Sequence, residues 1–138
     1  MPYTKENNFS KFNLNNYILT INVKKSLPND IEWEETINTM KDFYTAAEIN
    51  NYKFSIIFDL RLMGILPLKK IRQWGDLFID YKEKTKNHIN CTSVITDSYL
   101  IKSTLNIFFS IYTTVRPMRI VNNIEESYEF IHKNINFK

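Results

Sequence analysis

Polar and apolar positions alternate weakly from Phe9 to Leu14 and clearly from Tyr17 to Val23, where Tyr17, Leu19, Ile21 and Val23 are interleaved with Ile18, Thr20 and Asn22. Period-two alternation predicts half-buried strands, and Asn15-Asn16 between them tolerates the positive φ of a hairpin turn. Lys24 to Asn29 then leaves the sheet, and Asp30 is placed to cap a helix. Trp33, Ile37, Met40, Tyr44 and Ala47 recur at helical spacing, which predicts a first helix running to about Asn50. From Phe54 to Leu60 the chain reads Phe-Ser-Ile-Ile-Phe-Asp-Leu. A nearly continuous apolar run of this length is what a central strand covered on both faces requires.

The remaining pattern repeats helix after strand. Pro67 suits the first position of a second helix, whose buried stripe is Ile71, Trp74, Phe78, Tyr81 and Thr85. Cys91 to Thr96 is the next strand, and Asp97 or Ser98 caps a third helix from Tyr99 to about Val115, stopped by Pro117. Met118 to Val121 forms a short last strand. Asn122 or Asn123 caps a final helix with Ile124, Tyr128, Ile131 and Ile135 inward. The expected fold is α/β: an opening hairpin, then alternating helices and strands in a mixed, mostly parallel sheet flanked by helices. Residues 1–8 are expected to be a flexible N-terminus, and 9–138 a single domain.

Composition narrows the function classes. A hydrophobic content of 43% and an aromatic content of 14% exclude a disordered chain. Cys91 is the one cysteine, so no internal disulfide and no Cys-cluster zinc site can form, and its apolar setting reads as a small buried hydrophobe. His88 and His132 are far apart, so no metal site is expected. Two glycines are too few for a dinucleotide fingerprint or a phosphate-binding loop, and no cofactor is expected. The polar N-terminus shows no signal-peptide pattern and no run of about 18 apolar residues occurs, so a cytoplasmic location is expected.

The net charge of +3 is small and the cations lack interleaved aromatic strand residues, which argues against a nucleic-acid partner. Its distribution is uneven. Asp30 to Asn50 holds six acids against Lys41, while Arg61 to His88 holds seven bases against three acids. Two solvated helix faces of opposite sign are the simplest account.

The element order, with Asp59 near the end of the third strand, resembles the STAS fold, named for sulphate transporters and anti-sigma factor antagonists. It is more similar still to the SpoIIAA-like branch, whose relatives overlap in shape with the Sec14 or CRAL-TRIO lipid-binding fold. The matching pieces are Ile-Ile-Phe-Asp-Leu at 56–60, Val-Ile-Thr-Asp at 94–97 and Arg-Ile-Val-Asn-Asn-Ile-Glu-Glu-Ser at 119–127. In the anti-sigma antagonists an Asp-Ser-Ser-Gly segment follows the third strand and carries a phosphorylated serine. Here that place falls near Pro67-Leu68-Lys69, and no Ser or Thr occurs from Arg61 to Lys84. Phosphorylation switching is therefore not carried over. The resemblance still implies a protein-binding or apolar-ligand-binding module.

Two stretches are candidate binding sites. Lys69, Lys70 and Arg72 lie within the first turns of the second helix, where free N–H groups favour an anionic headgroup or an acidic partner. The third helix carries one apolar stripe of Ile101, Leu105, Phe108, Tyr112 and Val115, has Leu100, Ile107, Phe109 and Ile111 beyond it and Lys102 as its one charge, and is followed by Arg116. Such a helix is either a broad core face or a contact surface for a protein partner, a second copy or an anionic bilayer. Asp59 and Asp97 at strand ends could form an acid–base pair, but no histidine or recognisable nucleophile accompanies them. The sequence thus predicts a non-enzymatic interaction module. A lipid or small apolar-ligand carrier of Sec14-like type is the alternative.

Overall fold

The computed structural model describes residues 3–135. Among the described residues, six strands form one sheet in the order β1 to β6, with spatial and sequential order the same. They are β1 (Tyr3–Glu6), β2 (Ser10–Asn15), β3 (Ile18–Val23), β4 (Phe54–Asp59), β5 (Ile89–Ile95) and β6 (Met118–Val121). The first three strands pair antiparallel and β3 to β6 pair parallel, so the expected mixed α/β sheet is present. The helices are α1 (Asp30–Asn50), α2 (Leu68–Asp80), α3 (Lys82–His88), α4 (Tyr99–Ile111) and α5 (Ile124–Ile135).

The unreversed strand order dictates how the layers are filled. Successive right-handed crossovers that always step the same way place every crossover helix on one face of the sheet. Residues of α1, α2 and α4 accordingly pack together over Phe58 and Val94. The other face of β4 to β6 is covered by α5 through Ile57, Cys91, Ile95, Val121 and Ile131. Because β4 is covered on both sides, it reads as an apolar run. By contrast, β2 and β3 keep Lys11, Asn13, Thr20 and Asn22 only partly buried between buried Phe12, Leu19 and Ile21. Fully burying a Leu, Ile or Phe contributes about 1.5–3 kcal/mol, so register errors in these strands are heavily penalised.

Local chemistry shifts several expected boundaries. The hairpin turn falls one residue later than expected: Asn15 pairs with Ile18, and Asn16 and Tyr17 take φ of 53° and 60°, as a type I′ turn requires. Asn29, not Asp30, caps α1, with a reciprocal bond from its own N–H to Glu32. Of the N-terminus expected to be flexible at 1–8, residues 1–2 lie outside the described residues, while residues 3–6 are strand. They add an edge strand, and Tyr3 lays its ring edge-on to Phe43 at 5.4 Å. The second helix bends at Tyr81, whose ring packs on Tyr44 at 5.1 Å, and α3 continues so that Thr85 donates to Tyr44 Oη at 2.9 Å. The fourth helix stops at Ile111 rather than Val115. Thr113, Thr114 and Val115 are β-branched and favour extended backbone.

The uneven charge distribution has a structural account as well. The acidic α1 lies beside basic α2 and α3, with Lys70 Nζ 2.6 Å from Asp30 and Lys84 Nζ 2.9 Å from Glu48. Both pairs are solvent-accessible, and such pairs orient packed helices more than they stabilise them. Among the described residues, no helix is long and apolar enough to cross a membrane.

Candidate functional site: an apolar cavity between the sheet and its helices

Three helices cannot close perfectly over one curved sheet face, and here they leave a cavity of about 430 Å³. Its floor is made by Ile21, Ile56, Phe58, Thr92 and Val94 of the parallel strands. Trp33, Met40 and Tyr44 of α1 form one wall. Trp74, Leu77 and Phe78 of α2, with Ile101, Leu105 and Phe108 of α4, form the roof. The size and apolar lining are those of a small-molecule site. Ile79 and Ile111 line it too and are 62% and 68% exposed, so it reaches the surface near the C-terminal ends of α2 and α4.

Aromatic packing holds the roof together. Phe78 meets Phe108 at 5.5 Å and Phe109 at 6.1 Å, and Phe108 meets Tyr112 at 4.7 Å. Tyr112 leaves the helix so that its ring lies flush on Gly75 of α2, where any Cβ would overlap three ring carbons. Gly75 has no positive φ, so its role is to permit this close approach.

The sequence-derived candidates fall into two groups at opposite ends of the sheet. Helices that follow parallel strands run back along them, so Lys69, Lys70 and Arg72 lie near the strands' carboxyl ends. The end of α4 and Arg116 lie near the amino ends. Lys70 is spoken for by Asp30, while Lys69 and Arg72 are exposed. On α4, Ile107 is exposed, Phe109 is half-buried against Phe78, and Tyr112 is half-buried on Gly75. Arg116 lines the cavity and donates from Nε to the Ile89 carbonyl at 3.0 Å. Thus Phe109, Tyr112 and Arg116 come together with the cavity, and the cations of α2 do not.

Of the two carboxylate candidates, Asp97 is exposed and leaves the capping of α4 to Ser98, whereas Asp59 is tied into local structure. Asp59 accepts from Arg61 Nε at 3.0 Å, from Arg61 NH2 at 2.7 Å and from the Arg61 backbone N–H at 3.2 Å. The Arg61 guanidinium holds its carboxyl below the usual carboxylate range, and partial burial opposes this only in part. Asp59→Asn should lower stability near neutral pH by about 1 kcal/mol, the upper range for a solvent-screened pair. Because the folded-state pKa is depressed, that contribution is present above the unfolded value of about 3.9 and disappears as pH falls through the folded one. Denaturant melts of both proteins from pH 7 to pH 3 should therefore converge at the acid end. A constant gap would assign the effect to something other than the charge.

Cys91 is fully buried, and its thiol donates to Ser55 Oγ at 3.7 Å. Burial pushes the thiol above its usual pKa, which suits a packing residue and not a nucleophile. Among the described residues, no group of three or more His, Cys, Asp or Glu side chains is arranged to hold a metal ion.

No protein-family model matches the chain, and no curated protein matches it. Among solved structures, it is similar to an uncharacterized protein from the DUF3478 family with a SpoIIAA-like fold from Shewanella loihica PV-4. The TM-score is 0.57 at 11% sequence identity, covering 94% of this chain and 91% of that one. The fold is therefore SpoIIAA-like.

Proposed function

We propose that this STAS-like domain is a non-enzymatic binding protein for a small apolar ligand, held between the sheet and the roof formed by α2 and α4. The observation that carries this reading is the cavity of about 430 Å³, lined by Trp, Phe, Met, Leu and Ile side chains and reaching the surface. A core optimised only for stability fills such a volume, because unfilled space forfeits packing contacts. The charged residues lining it are Lys82 and Arg116, so it presents no acid–base pair to a substrate.

The test is titration of the purified protein, after extraction of co-purified lipid, with the uncharged fluorophore N-phenyl-1-naphthylamine. Saturable one-to-one binding is expected. Leu105→Trp, which extends a half-buried roof residue into the cavity, should weaken it by about tenfold or more with little change in melting temperature. Absence of saturable binding, or binding indifferent to Leu105→Trp, would refute the reading.

A second reading has its own support. Leu100 and Ile107 are 66% and 63% exposed on the outer side of α4, and with Ile111 at the cavity's opening they leave an uncovered apolar surface suited to a protein partner or a second copy. Sedimentation velocity across a concentration series tests the second copy directly.

A further inference from the structure

Trp33 is 6% exposed and lines the cavity. Its indole Nε1–H is buried and has no acceptor among the described residues, while the other buried side-chain nitrogens and oxygens among them are paired. Buried indole N–H groups ordinarily find a partner, because leaving a donor dry forfeits its bond to water with nothing in return. None of the described side chains around it provides one. Trp33 is flanked by the rings of Phe9 at 6.1 Å and Trp74 at 5.7 Å. Its polar neighbours Ser10 and Thr36, which also line the cavity, are bonded to each other at 2.7 Å, and Thr36 donates on to the Glu32 carbonyl at 2.8 Å.

The position of this donor limits the charge of what it would bind. Trp33 stands in the first turn of α1 beside Phe9 and Val23, near the carboxyl end of β3. The two cations that line the cavity lie towards the other end of the sheet. Lys82 opens α3, and Arg116 is tied to Ile89 at the start of β5. A carboxylate at Trp33 would thus be desolvated without a cation lining the cavity beside it, which is costly. A neutral oxygen has no such cost.

Resting on the reading of the cavity as a ligand site, we propose that its ligand is an uncharged, largely apolar molecule bearing one hydrogen-bond-accepting oxygen of ketone, ester or amide type. Trp33 Nε1–H is the donor that selects it. The acceptor fixes which end of the molecule enters first, and the Phe, Met and Leu lining takes the rest.

The experiment compares two probes that differ by one group, valerophenone and pentylbenzene, in which a methylene replaces the carbonyl. The chain has two tryptophans, so its proton–nitrogen spectrum has two indole N–H signals, and Trp33→Phe identifies the one from Trp33. Valerophenone should move that signal downfield, and pentylbenzene should not. Trp33→Phe, which keeps an aromatic ring in place, should weaken valerophenone by about five- to tenfold, as for one hydrogen bond. It should leave pentylbenzene within about twofold. Equal effects on both probes, or an unmoved Trp33 signal with valerophenone bound, would overturn the donor's role while leaving the cavity reading intact. Failure of both probes to bind the unmodified protein would overturn the cavity reading and the donor's role together.

Discussion

Phe108→Ala should lower the unfolding free energy by about 3–5 kcal/mol, whereas Ile107→Lys, one residue earlier on the same helix, should change it by less than about 0.5 kcal/mol. The contrast follows from where the two side chains point. Phe108 is 8% exposed, sits edge-on to Phe78 and Phe109, and roofs the cavity. Its loss would remove ring contacts beside space that is already unfilled, so the neighbours have little to collapse onto. Ile107 is 63% exposed and directed away from the sheet. Parallel denaturant melts measure both. If Ile107→Lys instead cost several kcal/mol, α4 would be covered on its outer side in solution. If it stayed folded and abolished a measured dimer, the outer stripe would be the dimer contact.

This contrast also explains what the sequence could and could not reveal about α4. Its excess of apolar residues was legible as a helix with more than one apolar side. Whether the surplus faces core or solvent depends on the roof geometry, which no periodicity encodes. In the structure the answer is divided: Ile101 and Phe108 are buried, while Leu100, Ile107 and Ile111 are exposed. The strands from Tyr17 to Thr96 were legible because alternation and apolar runs report directly on one-sided and two-sided burial. The edge strand Tyr3–Glu6 was not, because all four residues are exposed and its order comes from backbone pairing to β2. The paired excesses of acid and base on neighbouring segments were visible, but their meeting as Asp30–Lys70 and Glu48–Lys84 needed the packing of α1 on α2 and α3.

The cavity itself left almost no trace in the sequence, since its lining is made of the same residues as an ordinary core. Two chemical details could have pointed to it. Trp33 brings a polar atom into an apolar stripe, and Gly75 interrupts a helix in which it costs about 1 kcal/mol relative to alanine. Neither has an account in local structure. Each acquires one only when α1, α2 and α4 are seen converging on the same space.

Gly75 also supports a prediction whose sign reverses with its partner. In the unmodified protein Gly75→Ala should destabilise by about 1–2 kcal/mol, although alanine is the better helix former by about 1 kcal/mol. The new methyl would overlap the Tyr112 ring, which must swing off α2 and forfeit a burial contribution of about 2–3 kcal/mol. In a Tyr112→Ala background that overlap is gone and only the helix preference remains. There Gly75→Ala should stabilise by about 1 kcal/mol. The two substitutions are thus expected to couple by about 2–3 kcal/mol, a value typical of side chains in direct contact. Thermal or denaturant unfolding of the four proteins in the cycle measures the coupling. Tyr112 also helps close the roof near the cavity's opening, so Gly75→Ala should speed dissociation of the naphthylamine probe as well. Additive effects on stability would show that the Tyr112 ring does not rest on Gly75 in solution, and that the roof is held by the contacts of Phe78 with Phe108 and Phe109.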